Sequence, residues 1–182
     1  MEEKNKAWKT VSSKYLFRRP WLTVRCEDML LPNGNHIPEY YILEYPDWVN
    51  TIAITKEGKF VFVRQYRPGI GRTCYELCAG VCEKEDASPL VSAQRELWEE
   101  TGYGNGNWQE YMLISANPST HTNLTYCFLA IDVELIDHQH LEATEDLSVH
   151  LLTLEEGKRL LDNNEIMQAL NAAPLWKYIA SL

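Results

Sequence analysis

Residues 88–102 carry both ends of a helix and its buried face, and segments that read as strands flank them on either side. Ser88 is placed to cap the start, Pro89 suits the first helical position, and Gly102 is placed to close the end. Leu90, Ala93 and Leu97 recur at helical spacing and form an apolar stripe. Such a helix has to bury that stripe against a sheet. Its polar side is unusual. Glu96 and Glu100 are one turn apart on the same face, Glu99 flanks them, and Arg95 precedes Glu99 by one turn. Carboxylates this close repel one another unless a cation lies between them. Hard divalent cations take oxygen ligands, so this face is a candidate Mg²⁺ site, with Mn²⁺ as second choice. A solvated charged face is the plain alternative.

The rest of the chain reads mostly as strands. Residues 21–31 alternate, Pro32-Asn33-Gly34-Asn35 signals a turn, and residues 37–45 return. With weaker strand signals near Val11 and Tyr15–Phe17, residues 1–46 read as a small antiparallel β element. Residues 47–182 read as the main domain. Strands are expected over 48–55, 59–66, a short 74–79, 108–115, 123–134 and near 148–154. Thr153-Leu-Glu-Glu156 forms a capping box for a helix to about Leu161. Asn163 or Asn164 is placed to cap a last helix that Pro174 interrupts. Strands, one helix, strands and then helices make an α/β chain, a mixed sheet sandwiched between helices.

A length of 182 residues suits one domain with a sizeable core. The net charge of -9 and the lack of a basic stripe argue against a general nucleic-acid binder or an anionic-membrane binder. No run is long enough to span a bilayer, and no signal-peptide core is visible, so the expected location is cytoplasmic. Five cysteines, an odd number, suggest free thiols. Cys74, Cys78 and Cys82 recur every fourth residue. They read either as metal ligands or as small residues of a strand and loop. His36, His138, His140 and His150 show no ligand spacing.

Arg95-Glu-Leu-Trp-Glu-Glu-Thr-Gly-Tyr103, with Gly80 upstream, resembles the second half of the Nudix box, with Tyr103 where an aliphatic residue is usual. Counted from Gly80, the upstream acid of that box falls on Asp86. Counted back from Arg95, it falls on Ala87. The segment is thus one residue longer than the family spacing, and Glu85 or Asp86 stands in. Arg64-Gln-Tyr-Arg67 and Tyr75-Glu-Leu-Cys-Ala-Gly80 resemble the ADP-ribose pyrophosphatase group of that family, and so does the N-terminal β element.

The resemblance implies an α/β/α sandwich and metal-dependent hydrolysis of a nucleoside diphosphate sugar. ADP-ribose is the first candidate, and GDP-mannose or another sugar nucleotide the alternative. It also implies a homodimer in which the N-terminal element is exchanged and helps build the substrate site. A non-catalytic ADP-ribose sensor is the reading from a different class. By resemblance, Glu96, Glu99, Glu100 and the Ala79 carbonyl are metal ligands and Arg95 orients Glu99. Ala79 is expected at a strand-to-loop junction, with its carbonyl outside the ladder. Arg67 and Glu76 are expected to contact substrate, or else to pair with each other. Trp21 and Trp48 stack on a base or serve packing. His121, on the Ser119–Thr122 loop, reaches a phosphate or a ribose. Glu145 is the first choice of general base, Glu142 the second, and Glu99 the remaining candidate.

Overall fold

A computed structural model describes residues 6–19 and 22–182. The chain divides into two compact units. One comprises Met1–Tyr45 with Asn117–Asn123, the other Pro46–Ala116 with Leu124–Leu182. Trp21 lies outside the described residues.

The first unit is a three-stranded antiparallel sheet of β1 (Lys9–Arg19), β2 (Leu22–Leu30) and β3 (His36–Glu44), with β2 central. Gly34, at a φ of 89°, makes the turn between β2 and β3, where the Leu31 N–H donates to the Asn35 carbonyl at 2.9 Å. Arg25 of β2 ties the sheet together, bonding Glu27 of its own strand at 2.6 Å and Glu44 of β3. The 117–123 segment joins this unit by the Leu43 N–H bond to the Thr120 carbonyl at 2.8 Å. The weak signals near Val11 and Tyr15–Phe17 mark one continuous strand. Its apolar side chains Val11, Tyr15, Leu16 and Phe17 are all exposed.

The second unit holds β4 (Trp48–Thr55), β5 (Phe60–Arg67), β6 (Arg72–Val81), α1 (Pro89–Thr101), β7 (Tyr103–Gly104), β8 (Asn107–Ile114), β9 (Thr125–Leu135), β10 (Leu147–Leu152), α2 (Leu154–Asp162) and α3 (Ala169–Ala180). The strand order is β10-β5-β6-β4-β9-β7, and β8 pairs with β9. The β4–β9 pair is parallel and the others are antiparallel, so the sheet is mixed. Successive strand residues point to opposite faces, and the two faces differ in size. Ile52, Phe62, Leu77 and Leu129 pack with Leu161, Ile166 and Leu175 of the C-terminal region. Their neighbours Ala53, Val61, Cys78 and Ala130 pack with Leu97 of α1. Helices thus cover both faces, as expected of the sandwich. Among the described residues, no helix is long and apolar enough to cross a membrane.

The structure departs from the sequence expectation at three places. β6 does not stop at Ala79 but runs on through Gly80 to Val81, because β4 pairs with its end, Trp48 opposite Val81 and Asn50 opposite Ala79. Asn163 and Asn164 do not start the last helix. Asn163 closes α2, and Gln168 is the N-cap of α3. Pro174 does not interrupt α3. A proline lacks the N–H that would bond the carbonyl of residue 170, and here the buried Asn50 of β4 replaces it, its Nδ2 donating to the Leu170 carbonyl at 2.7 Å.

This substitution of a side chain for a missing backbone donor is testable by urea unfolding. Asn50→Ala leaves a buried carbonyl unsatisfied and should cost about 1–3 kcal/mol. Pro174→Ala restores an N–H at the same carbonyl. The cost of Asn50→Ala should therefore be smaller in the Pro174→Ala background, a coupling of about 1 kcal/mol.

Candidate active site

α1 begins and ends where its capping residues dictate. Ser88 accepts from the Val91 N–H at 3.4 Å, Pro89 is the first helical residue, and Gly102 closes the helix at a φ of 73°. These limits turn Ala93 and Leu97 into the core and bring Glu96 and Glu100 against β6. The Ala79 N–H donates to Glu100 Oε2 and the Val81 N–H to Glu96 Oε1, each at 3.2 Å. In an antiparallel strand the N–H and C=O of one residue point to the same side. The Ala79 carbonyl therefore points to the same side as the N–H that meets Glu100, and Ala79 lies within the strand, not at the expected strand-to-loop junction. Gly80 lies between these two contacts. A Cβ there would overlap the Glu96 carboxylate, so the approach of acid to backbone requires glycine.

Arg95 is the hub. Its Nη1 donates to Glu96 at 3.0 Å and Glu99 at 2.8 Å. Its Nη2 donates to the Val81 carbonyl at 3.0 Å and to Asp86 at 2.9 Å. Burial opposes its charge, but the bonds to Asp86 and Glu99 outweigh this and hold the guanidinium above its ordinary pKa. Asp86 is held below the usual carboxylate range, chiefly by Arg95. Of the two acids the sequence left open, Asp86 is the one at the guanidinium, and the extra residue is accommodated within the 82–88 segment.

The two α1 carboxylates packed against β6 carry the electrostatic strain. Glu100 is 4% exposed, and burial pushes its pKa to about 8, with Glu96 adding repulsion. The bonds from Cys78 and from the Ala79 N–H counter this only in part. Glu96 is also raised, first by burial, against the pull of Arg95. Buried Glu100, partly buried Glu96, flanking Glu99 and the Ala79 carbonyl all offer oxygen donors. That set fits a hard divalent ion such as Mg²⁺.

Arg67 and Glu76 pair with each other. Arg67 Nε meets Glu76 Oε1 at 2.7 Å and Nη2 meets Oε2 at 2.5 Å. Glu76 is 1% exposed and holds Arg67 by these two bonds. Arg67 lines a cleft of about 360 Å³ with Trp48, Asn50, Ala79, Gly80 and Asn171. Trp48 therefore lines the same cleft as Ala79 and Gly80. His121 lies in the first unit, its ring 5.2 Å from that of Tyr45.

Glu142 and Glu145 sit on the loop between β9 and β10, where the Glu142 N–H donates to Glu145 Oε2 at 2.9 Å. Glu145 adds a small repulsion to Glu100. Along β6, Cys74 and Cys78 are about 13 Å apart at strand rise, too far to share an ion with Cys82. Sequence reasoning missed Cys78 as a neighbour of Glu100 and missed Asn50, Gln168 and Asn171 at the cleft. Alternation along β6 puts Cys78 on the α1 face, whereas no local signal marks the other three.

Comparisons with known proteins bear on this geometry. Residues 8–43 match the family described as nucleoside diphosphate sugar hydrolase N-terminal domain, and residues 45–171 match the NUDIX domain. The chain is 31% identical over 165 residues to an ADP-ribose pyrophosphatase of Bacillus subtilis, covering 90% of this chain and 88% of that one. It is 28% identical over 123 residues to a GDP-mannose pyrophosphatase of Escherichia coli, covering 62% of each. A crystal structure of an ADP compounds hydrolase superposes with a TM-score of 0.83 at 21% identity, over 96% of this chain and 94% of that one, and shows the same fold.

The buried Glu100 makes the metal-free protein sensitive to alkali. Its folded pKa of about 8 lies above the ordinary value of 4.5, so between these limits the native state binds more protons than the unfolded one. Its contribution to stability is full below 4.5 and is lost as pH rises through 8. Thermal melts at pH 8.5 in chelator should show Glu100→Gln unfolding at a higher temperature than the unaltered protein. Adding Mg²⁺ should raise the midpoint of the unaltered protein more than that of the variant.

Proposed function

The chain belongs to the NUDIX domain family, and on that premise we propose that it hydrolyses nucleoside diphosphate sugars, ADP-ribose foremost, to AMP and ribose 5-phosphate. The observation that carries this reading is the packing of Glu96 and Glu100 against the Ala79–Val81 backbone, with Arg95 and Asp86 behind them. The kinship to an ADP-ribose pyrophosphatase over most of both chains supports the choice of substrate.

Glu96, Glu100, Glu99 and the Ala79 carbonyl would hold Mg²⁺, with Mn²⁺ as a substitute. When bound, the ion neutralises the diphosphate and polarises the attacked phosphorus. Arg95 fixes the rotamers of Glu96 and Glu99. Arg67, locked by Glu76, pairs with a phosphate from the cleft. Trp48 stacks on the base or sugar, Trp21 is the second stacking candidate, and His121 is a further substrate contact. Glu145 takes a proton from the attacking water, with Glu142 next in order. The new P–O bond forms as the bond to the bridging oxygen breaks, leaving two phosphomonoesters.

Residues 1–46 serve as the dimerisation element, with the exposed apolar side chains of β1 covered by a second copy. All five cysteines are free, which suits a reducing, cytoplasmic setting.

Activity is tested on ADP-ribose, GDP-mannose, UDP-glucose and NADH with phosphate release coupled to a phosphatase. ADP-ribose should be cleaved fastest and only with Mg²⁺ or Mn²⁺. Glu100→Gln and Glu145→Gln should each cost at least about a hundredfold in kcat. Faster cleavage of GDP-mannose would move the substrate assignment to that sugar nucleotide. Binding of ADP-ribose without cleavage would make the chain a sensor. Light scattering at micromolar concentration should give a dimer, and Phe17→Glu should shift it toward monomer.

A further inference from the structure

The loop that follows β9 holds a second cluster of metal-binding atoms, chemically unlike the first. Asp137, His138 and His140 each offer one ligand atom, and these atoms lie within 4.8 Å of one another. His138 Nδ1 is 2.7 Å from Asp137 Oδ1, and His140 Nε2 is 3.0 Å from Oδ2. The two imidazole rings are 4.3 Å apart. The spacing of the two histidines shows no ligand pattern in the sequence, and the turn of the chain is what gathers them.

The cluster is built on a firm base. The Ile136 and Asp137 N–H groups donate to the Gly102 carbonyl at 2.9 and 3.1 Å. Gln139 Nε2 donates to the Glu100 carbonyl at 2.7 Å, and the His140 N–H to the Glu99 carbonyl at 2.8 Å. These are carbonyls at the end of α1, which a helix otherwise leaves without partners. The His140 ring stacks on Trp98, with centroids 4.1 Å apart and planes 27° apart. Backbone and one imidazole are thus both fixed in place. The helix end is electronegative, and no basic residue in its last turn offsets that charge.

We propose that Asp137, His138 and His140 form a transition-metal site at the C-terminal end of α1, with Zn²⁺ as the favoured ion. Two imidazoles and one carboxylate suit Zn²⁺, Co²⁺, Ni²⁺ or Cu²⁺, whereas Mg²⁺ takes oxygen donors alone. With three protein ligands, the remaining coordination position goes to water. His138 is 79% exposed, so the ion exchanges with solvent and is not locked into the fold. Glu142 follows His140 by two residues. A bound ion therefore clamps the start of the loop that carries Glu142 and Glu145, and zinc availability acts on the order of that loop.

The test is calorimetric titration of the full-length protein with Zn²⁺ in excess Mg²⁺, using three forms: unaltered, His138→Ala/His140→Ala, and Glu96→Gln/Glu100→Gln. The unaltered and glutamine forms should each bind one Zn²⁺ with micromolar affinity. The alanine form should bind at least about tenfold more weakly, with an unfolding midpoint in chelator unchanged from the unaltered protein. Asp137→Asn, which keeps the loop's size, should also weaken binding. In the unaltered protein Zn²⁺ should slow amide exchange over 141–146, and in the alanine form it should not. Equal affinity in the alanine and unaltered forms would overturn the site, as would loss of binding in the glutamine form alone.

Discussion

The second unit depends on two carboxylates being held against the backbone of a strand. Glu96 and Glu100 reach the amides of Val81 and Ala79 because Gly80 leaves the space between them open. Burying acids in this way is costly unless each charge is paired or shared. Arg95 answers half of the problem from behind, tying Glu96 and Glu99 to Asp86 and the Val81 carbonyl. Glu100 is raised chiefly by its burial, with Glu96 adding repulsion.

The same logic sets the polarity of the cleft. Of the two readings the sequence left open for Arg67, substrate contact or pairing with Glu76, the pairing is present, with Arg67 bonded at two points to the buried Glu76. Such a pair gives up net charge in exchange for fixed direction. The clamped guanidinium lines a cleft whose other walls include Trp48, Asn50 and Asn171.

Local features were legible. Ser88, Pro89 and Gly102 fix the helix ends by rules that involve only neighbours in sequence, and the positions of Glu96, Glu99 and Glu100 follow from helix periodicity. The sandwich followed from the order of strands and helices. What escaped was decided across the fold. β6 extends past Ala79 only because β4 is beside it, and Pro174 sits inside α3 only because Asn50 arrives from another element. The extra residue between Gly80 and Arg95 looked like a defect in the motif, whereas the chain bends enough for Asp86 to meet Arg95 regardless. A gathering such as Asp137, His138 and His140 depends on loop shape, which no periodicity encodes.

The unequal faces of the sheet give the chain two different rules for change. On the side of α2 and α3, Ile52, Phe62, Leu77 and Leu129 fill volume, and other large apolar residues could fill it as well. On the side of α1, Ala53, Cys78 and Ala130 act as spacers that set how near the helix lies. One added methylene there would lift α1 as a rigid bar and carry both carboxylates off the strand together. Drift of the sequence would thus be tolerated on one face and filtered on the other. The record of selection for catalysis would be written in residues that never touch a substrate.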